Sequence, residues 1–78
     1  MNRDHGNAHF ETLFVDNERE GCAGLELYRV SKGKKERVAR VLFWDALGQF
    51  FIETFNTELP VDIVEELISE TKTAVKIK

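Results

Sequence analysis

Residues 37–55 have the sequence RVARVLFW-DALG-QFFIETF, two runs rich in β-branched and aromatic side chains on either side of a short turn sequence. Side chains of these types favour β-strands. Asp45 can hydrogen-bond to the backbone that follows it, and Gly48 can adopt a left-handed conformation. The stretch therefore predicts a hairpin with a three-residue loop closed by a glycine bulge, in which Phe43 faces Phe51 across the two strands.

Two further strands are predicted before this hairpin. The alternating run FETLFV at residues 10–15 suits a short strand, and LELYRV at residues 25–30 suits a second. The loop SKGKKE at residues 31–36 separates the second strand from the hairpin, and Gly33 within it is free to take a positive φ. Residues 1–9 show no hydrophobic period, so they are interpreted as a flexible N-terminal tail.

A helix is predicted from about residue 60 to residue 72. Pro60 suits its first turn, where the missing N–H costs nothing. The tail TAVKIK at residues 73–78 suits either a continued helix or a short strand. One apolar stripe recurs at helical spacing and consists of Val61, Val64, Leu67 and Ile68.

These elements predict one small α+β domain over residues 10–78. It is a three- or four-stranded antiparallel β-meander with one C-terminal α-helix packed on one face. The chain has 78 residues, of which 42% are hydrophobic and 32% charged, and this composition is typical of a globular domain. A single cysteine, Cys22, excludes an internal disulfide and favours a reducing, cytoplasmic setting. No run approaches the roughly 20 apolar residues of a membrane-spanning helix, so no membrane association is predicted.

Both faces of the predicted hairpin are apolar, whereas only one helix is available to cover them. Large exposed apolar patches usually mark partner surfaces. Two covers are compatible with the sequence: residues 1–15 folded back as a lid, or a second molecule. The second molecule is either another protein or a second copy, which would stack sheet on sheet or pair exposed strand edges. The residues predicted to form this interface are Phe43, Phe51 and Phe55.

Positive charge is concentrated in residues 29–40. They hold six basic residues against Glu36 alone, a charge of +5, so the rest of the chain carries −8 to give the net charge of −3. Basic side chains of this kind can neutralise phosphates and release counterions. The overall acidity opposes nucleic-acid binding, and the segment is first interpreted as a solvated end of the sheet. The candidate phosphate contacts are Lys32, Lys34, Lys35, Arg37 and Arg40.

The predicted order of three strands followed by a helix is similar to the layout of the sheet-reading DNA-binding domains of plant transcription factors and phage integrases. The similarity concerns layout, and no base-reading arginine of those families can be placed in this sequence. It implies that a sheet surface would face the nucleic acid. We keep nucleic-acid binding through residues 29–40 as the alternative function.

No catalytic residue, metal site or cofactor is predicted. His5 and His9 are four residues apart and Asp4 and Cys22 could join them, but the residues between the histidines disfavour a helix. Cys22 has no histidine in an ordered segment to act as its base. The glycines are scattered and form no phosphate-binding loop. The chain is therefore predicted to be a small non-enzymatic interaction or structural module, either a homodimer or the partner of another protein.

Overall fold

The computed structural model describes residues 1–75 and shows a five-stranded antiparallel sheet with one helix. The strands are ordered β1-β2-β3-β4-β5, so each one pairs with its neighbour in the sequence. The predicted α+β meander with a C-terminal helix on one face is confirmed, with five strands instead of three or four. The elements are β1 (Asn2–His5), β2 (Ala8–Asn17), β3 (Cys22–Ser31), β4 (Lys34–Trp44), β5 (Gln49–Thr54) and α1 (Val61–Ala74).

The fifth strand comes from the segment that the sequence predicts as a tail. Within residues 1–9, β1 pairs antiparallel with β2 after a reversal at Gly6, which has a φ of 61°. The Arg3 guanidinium donates a hydrogen bond to the Glu66 carboxylate of α1 at 2.8 Å. Contacts with distant parts of the chain thus compensate for the missing apolar period. The start of the chain extends the sheet sideways and does not lie over the phenylalanines as a lid.

The β4–β5 hairpin differs from the predicted register by one residue. Phe43 pairs with Phe50 and not with the predicted Phe51, because the loop contains all four residues 45–48. Gly48 takes the predicted left-handed conformation, with a φ of 63°. A slip of one residue moves every β5 side chain to the other face of the sheet. The predicted assignment of Phe43 and Phe51 to the same face is therefore wrong.

The core lies between α1 and one face of the sheet, which we call the helix face. A β-bulge in β4 helps to fill it, because Val38 is the extra residue between the partners of Leu27 and Tyr28. Val38 and Ala39 are adjacent and both are buried in the core, as a bulge allows. The buried cluster consists of Phe10, Leu25, Leu27, Val38, Ala39, Val41, Ile63 and Leu67.

Helix α1 begins one residue after Pro60 and continues to Ala74, beyond the predicted end. Its buried side chains are four residues apart, namely Ile63, Leu67 and Thr71. Val61, which the sequence places in the apolar stripe, is exposed. Residues 76–78, for which the sequence predicts either a continued helix or a short strand, lie outside the described residues.

Glu70 attaches α1 to the start of the chain. Its carboxylate accepts a hydrogen bond from the Met1 amino group at 2.7 Å and another from the Thr12 hydroxyl. Burial raises the pKa of Glu70, but the hydrogen bonds from Met1 and Thr12 and the positive amino group outweigh burial, so the pKa is lowered. Ionised Glu70 therefore stabilises the fold above its ordinary pKa of 4.5, and this contribution is lost as the pH falls through the lowered pKa.

We expect Glu70→Gln to abolish this pH-dependent contribution. Urea unfolding at neutral pH should show the wild type more stable than the variant by up to about 1 kcal/mol. The difference should shrink as the pH falls below the ordinary pKa of Glu70, because the wild-type carboxylate then becomes protonated. Glu65→Gln, at an exposed position of the same helix, is the control and should change stability little at any pH. If the stability difference between the wild type and Glu70→Gln stayed constant across the acid range, the lowered pKa of Glu70 would be contradicted.

Candidate interaction surface

The face of the sheet opposite α1, which we call the open face, carries an apolar strip. The register aligns Val15, Gly24, Leu42 and Phe51 in one row across four strands. Trp44 is two residues from Leu42 on the same strand, so it lies on the same face in the next row. We call the concavity between these side chains the aromatic groove. It has a volume of about 320 Å³ and is lined by Arg40, Leu42, Trp44, Phe51 and Glu53.

The aromatic groove combines a buried floor with an exposed rim. Leu42 is only 6% exposed although α1 packs on the other face of the sheet, because Trp44 and Phe51 lie beside it. Phe51 is itself 46% exposed, and Leu13 on the neighbouring row is 54% exposed. The strip thus leaves large apolar side chains in contact with water, as partner surfaces do.

Beside the aromatic groove the open face holds a network of ion pairs. Glu26 is buried and accepts hydrogen bonds from the Arg37 guanidinium at 2.5 Å and the Tyr28 hydroxyl at 3.1 Å. The hydrogen bond to Glu26 is the main reason that the pKa of Arg37 is raised. Burial, followed by the hydrogen bond and the charge of Glu26, raises the pKa of Tyr28. The raised pKa values keep Arg37 charged and Tyr28 neutral near pH 7.

Ion pairs involve three of the five basic side chains predicted to contact phosphate. Arg37 is bound to Glu26, Arg40 Nε lies 2.7 Å from a Glu53 oxygen, and Lys35 Nζ lies 3.1 Å from a Glu11 oxygen. The other two basic residues, Lys32 and Lys34, are exposed at the β3–β4 turn. The basic residues 29–40 do lie on the β3–β4 hairpin, but carboxylates of the sheet balance much of their charge.

The three phenylalanines predicted as the interface occupy three different environments. Phe43 is buried on the helix face, with its ring centroid 5.0 Å from that of Phe50. Phe51 is exposed on the open face. Phe55 is half-buried under the Arg37 guanidinium, whose central carbon lies 4.6 Å from the ring centroid. Phe51 is thus brought together with Leu42 and Trp44, neither of which was predicted as an interface residue.

Cys22 is buried at the end of the sheet. A concavity of about 640 Å³ adjoins it and is lined partly by the acidic residues Asp16, Glu18 and Asp45. Burial, followed by the negative charge of Glu20, raises the pKa of the Cys22 thiol. The thiol is therefore protonated near pH 7, which is unfavourable for a nucleophile.

The histidine segment forms hydrogen bonds within the sheet. His9 contacts Asp4 through Nδ1 at 2.7 Å and Asn2 through Nε2 at 2.9 Å. Across residues 1–75, no group of three or more His, Cys, Asp or Glu side chains is placed to hold a metal ion. The same residues contain no helix with the length and apolar character needed to cross a membrane.

Comparison with known proteins gives no family for this chain. No protein-family model matches it, and neither a curated protein nor a solved structure does.

Proposed function

We propose that this chain is a non-enzymatic, cytoplasmic interaction module that associates with a second copy of itself through the apolar surface around Phe51. The observation that supports the proposal is the aromatic groove, an apolar surface on the side of the sheet that α1 does not cover. Burying an aromatic side chain such as Phe51 contributes roughly 1.5–3 kcal/mol. Association at this surface would remove part of the Phe51 side chain from water.

The charges near the aromatic groove support a second copy as the partner. On strands β2–β5 the open face carries three carboxylates and three basic side chains, which form three ion pairs. That part of the surface is therefore close to neutral, whereas the whole chain has a net charge of −3. Two identical molecules repel each other least where their surfaces carry no net charge. The neutral surface and the apolar surface coincide at Phe51.

The alternative of nucleic-acid binding has less support. Arg37, Arg40 and Lys35 already have carboxylate partners, and phosphate contacts would have to break those ion pairs. Lys32 and Lys34 at the turn provide two further charges, which is few compared with the phosphate contacts that give strong, salt-dependent binding.

Phe51→Ser tests the proposal. We expect the wild type to dimerise at high micromolar concentration, and we expect the variant to dissociate with a Kd at least about tenfold higher, because a central aromatic side chain commonly contributes more than about 1.4 kcal/mol to an interface. Sedimentation equilibrium measures both values. Circular dichroism should show an unchanged fold, since Phe51 is outside the core cluster.

Leu47→Ser is the matched control. Leu47 is a large exposed apolar residue in the β4–β5 loop, and its loss should leave the dimer intact. A wild type that remains monomeric at several hundred micromolar would refute self-association as the function.

A further inference from the structure

The two edges of the sheet differ in their protection. Strand β1 forms one edge, and it is short, with the sequence NRDH carrying both signs of charge. Short, charged edge strands are a common protection against pairing with other chains. Strand β5 forms the other edge with the sequence QFFIET, which contains no Lys and no Pro, and its pairing with β4 has no register shift. Five of its six residues are exposed, so within residues 1–75 this edge lacks the usual protection.

The hydrogen bonds of β5 show which of its backbone groups point outward. The Phe55 N–H donates to the Val38 carbonyl at 3.0 Å, and Thr54 is the partner of Ala39. In an antiparallel ladder this bond makes Thr54 and Ala39 a non-hydrogen-bonded pair. Because the direction alternates along a strand, the N–H and C=O groups of every second residue point away from β4. Those residues are Phe50, Ile52 and Thr54.

We propose that two copies join along their β5 strands, antiparallel, to form one continuous ten-stranded sheet with a two-fold axis at Phe51. The inference rests on the proposed self-association and specifies how the copies meet. In this register Phe51 faces Phe51 of the second copy, and Phe50 faces Ile52. The outward backbone groups of Phe50 and Ile52 then form the new hydrogen bonds.

This register is the one in which like side chains meet. With the two-fold axis at Phe51, aromatic rings meet on the open face, apolar side chains meet on the helix face, and Gln49 faces Glu53. Moving the axis to Ile52 also uses the outward backbone groups, but it places Phe51 opposite Glu53. Aromatic cross-strand pairs stabilise a sheet, whereas a ring opposite a carboxylate does not. The preferred register also brings the two aromatic grooves side by side.

The predicted dimer is of moderate affinity. Pairing of two six-residue strands buries less than the roughly 800 Å² per partner of standard stable complexes, so we expect a Kd in the micromolar range. Measurements of assembly should therefore extend to several hundred micromolar protein.

The variant Ile52→Pro distinguishes a dimer formed by edge pairing from a dimer formed by stacking of the open faces. The Ile52 N–H points outward, so proline removes no hydrogen bond to β4 but blocks a strand added at the edge. We expect this variant to be monomeric where the wild type is dimeric, while Ile52→Val, which keeps the N–H, remains dimeric. If Ile52→Pro stays dimeric and Phe51→Ser does not, the open faces stack and edge pairing is wrong. A monomeric wild type refutes the proposed function itself.

Amide hydrogen exchange of the wild type provides a readout that does not depend on the proline variant being folded. The N–H groups of Phe50 and Ile52 should exchange at least about tenfold more slowly as the dimer becomes populated. Those of Phe51 and Glu53 point toward β4 and should keep the same protection at every concentration. Exchange at Phe50 and Ile52 that stays fast in a populated dimer would overturn the inference.

Discussion

Gly24→Ala is expected to destabilise the fold by about 3 kcal/mol or more, because an added methyl group would lead to a clash between the two central strands. A β-carbon at Gly24 would lie 1.9 Å from the Val41 carbonyl oxygen and 2.9 Å from the Leu42 α-carbon. Both are backbone atoms, which cannot rotate away as a side chain can. Strands β3 and β4 would have to separate locally and lose ladder hydrogen bonds. A domain of this size has a total stability of only a few kcal/mol, so the variant should be largely unfolded at 37 °C.

Gly33→Ala is the control for Gly24→Ala. Gly33 has a φ of 75°, and no atom lies within 4 Å of where its β-carbon would be. Its substitution introduces backbone strain alone, which costs about 1–2 kcal/mol. Urea unfolding monitored by circular dichroism measures both variants. A Gly24→Ala variant that is more stable than Gly33→Ala would contradict the close approach of the two strands.

Leu67→Ala is expected to cost about 2–5 kcal/mol, the range for leucine truncation in a packed core. Leu67 is 0% exposed and packs between α1 and the helix face. With a slope of about 1 kcal/mol per molar urea for a small domain, the unfolding midpoint should fall by at least about 2 M. Leu47→Ala removes the same atoms from a residue that is 63% exposed, so its midpoint should stay within about 0.5 M of the wild type. Equal midpoints for the two variants would place Leu67 outside the core.

The sequence was sufficient to predict the strands of the hairpin and the helix, because β-branched and aromatic runs and a helical apolar period are local signals. The sequence was not sufficient to predict the pairing register between β4 and β5. Asp45 and Gly48 are compatible with loops of three or four residues, and the choice between them turns the whole of β5 over. Strand β1 was missed for a different reason, since its pairing depends on contacts such as Arg3 with Glu66, which lie 63 residues apart.

The candidate surface could be predicted only in part for the same reason. Phe51 was predicted as an interface residue and is 46% exposed, but its neighbours depend on the register. In the observed register Leu42 is the partner of Phe51, whereas Phe43 turns toward α1. The signal that the sequence did provide for the charged network is the spacing of Arg37 and Arg40, which a bulge at Val38 places on one face. That bulge follows from cross-strand pairing and is not visible in a single strand.

The charged edge strand β1 sets the stoichiometry of any assembly formed through β5. A symmetric pair uses the β5 edge of both molecules and leaves only β1 strands at its two ends. Each outer strand has only four residues and contains Arg3 and Asp4, and short, charged edge strands disfavour the addition of further strands. Growth of such an assembly is therefore expected to stop at two molecules, whereas a chain with two unprotected edges would polymerise into fibres.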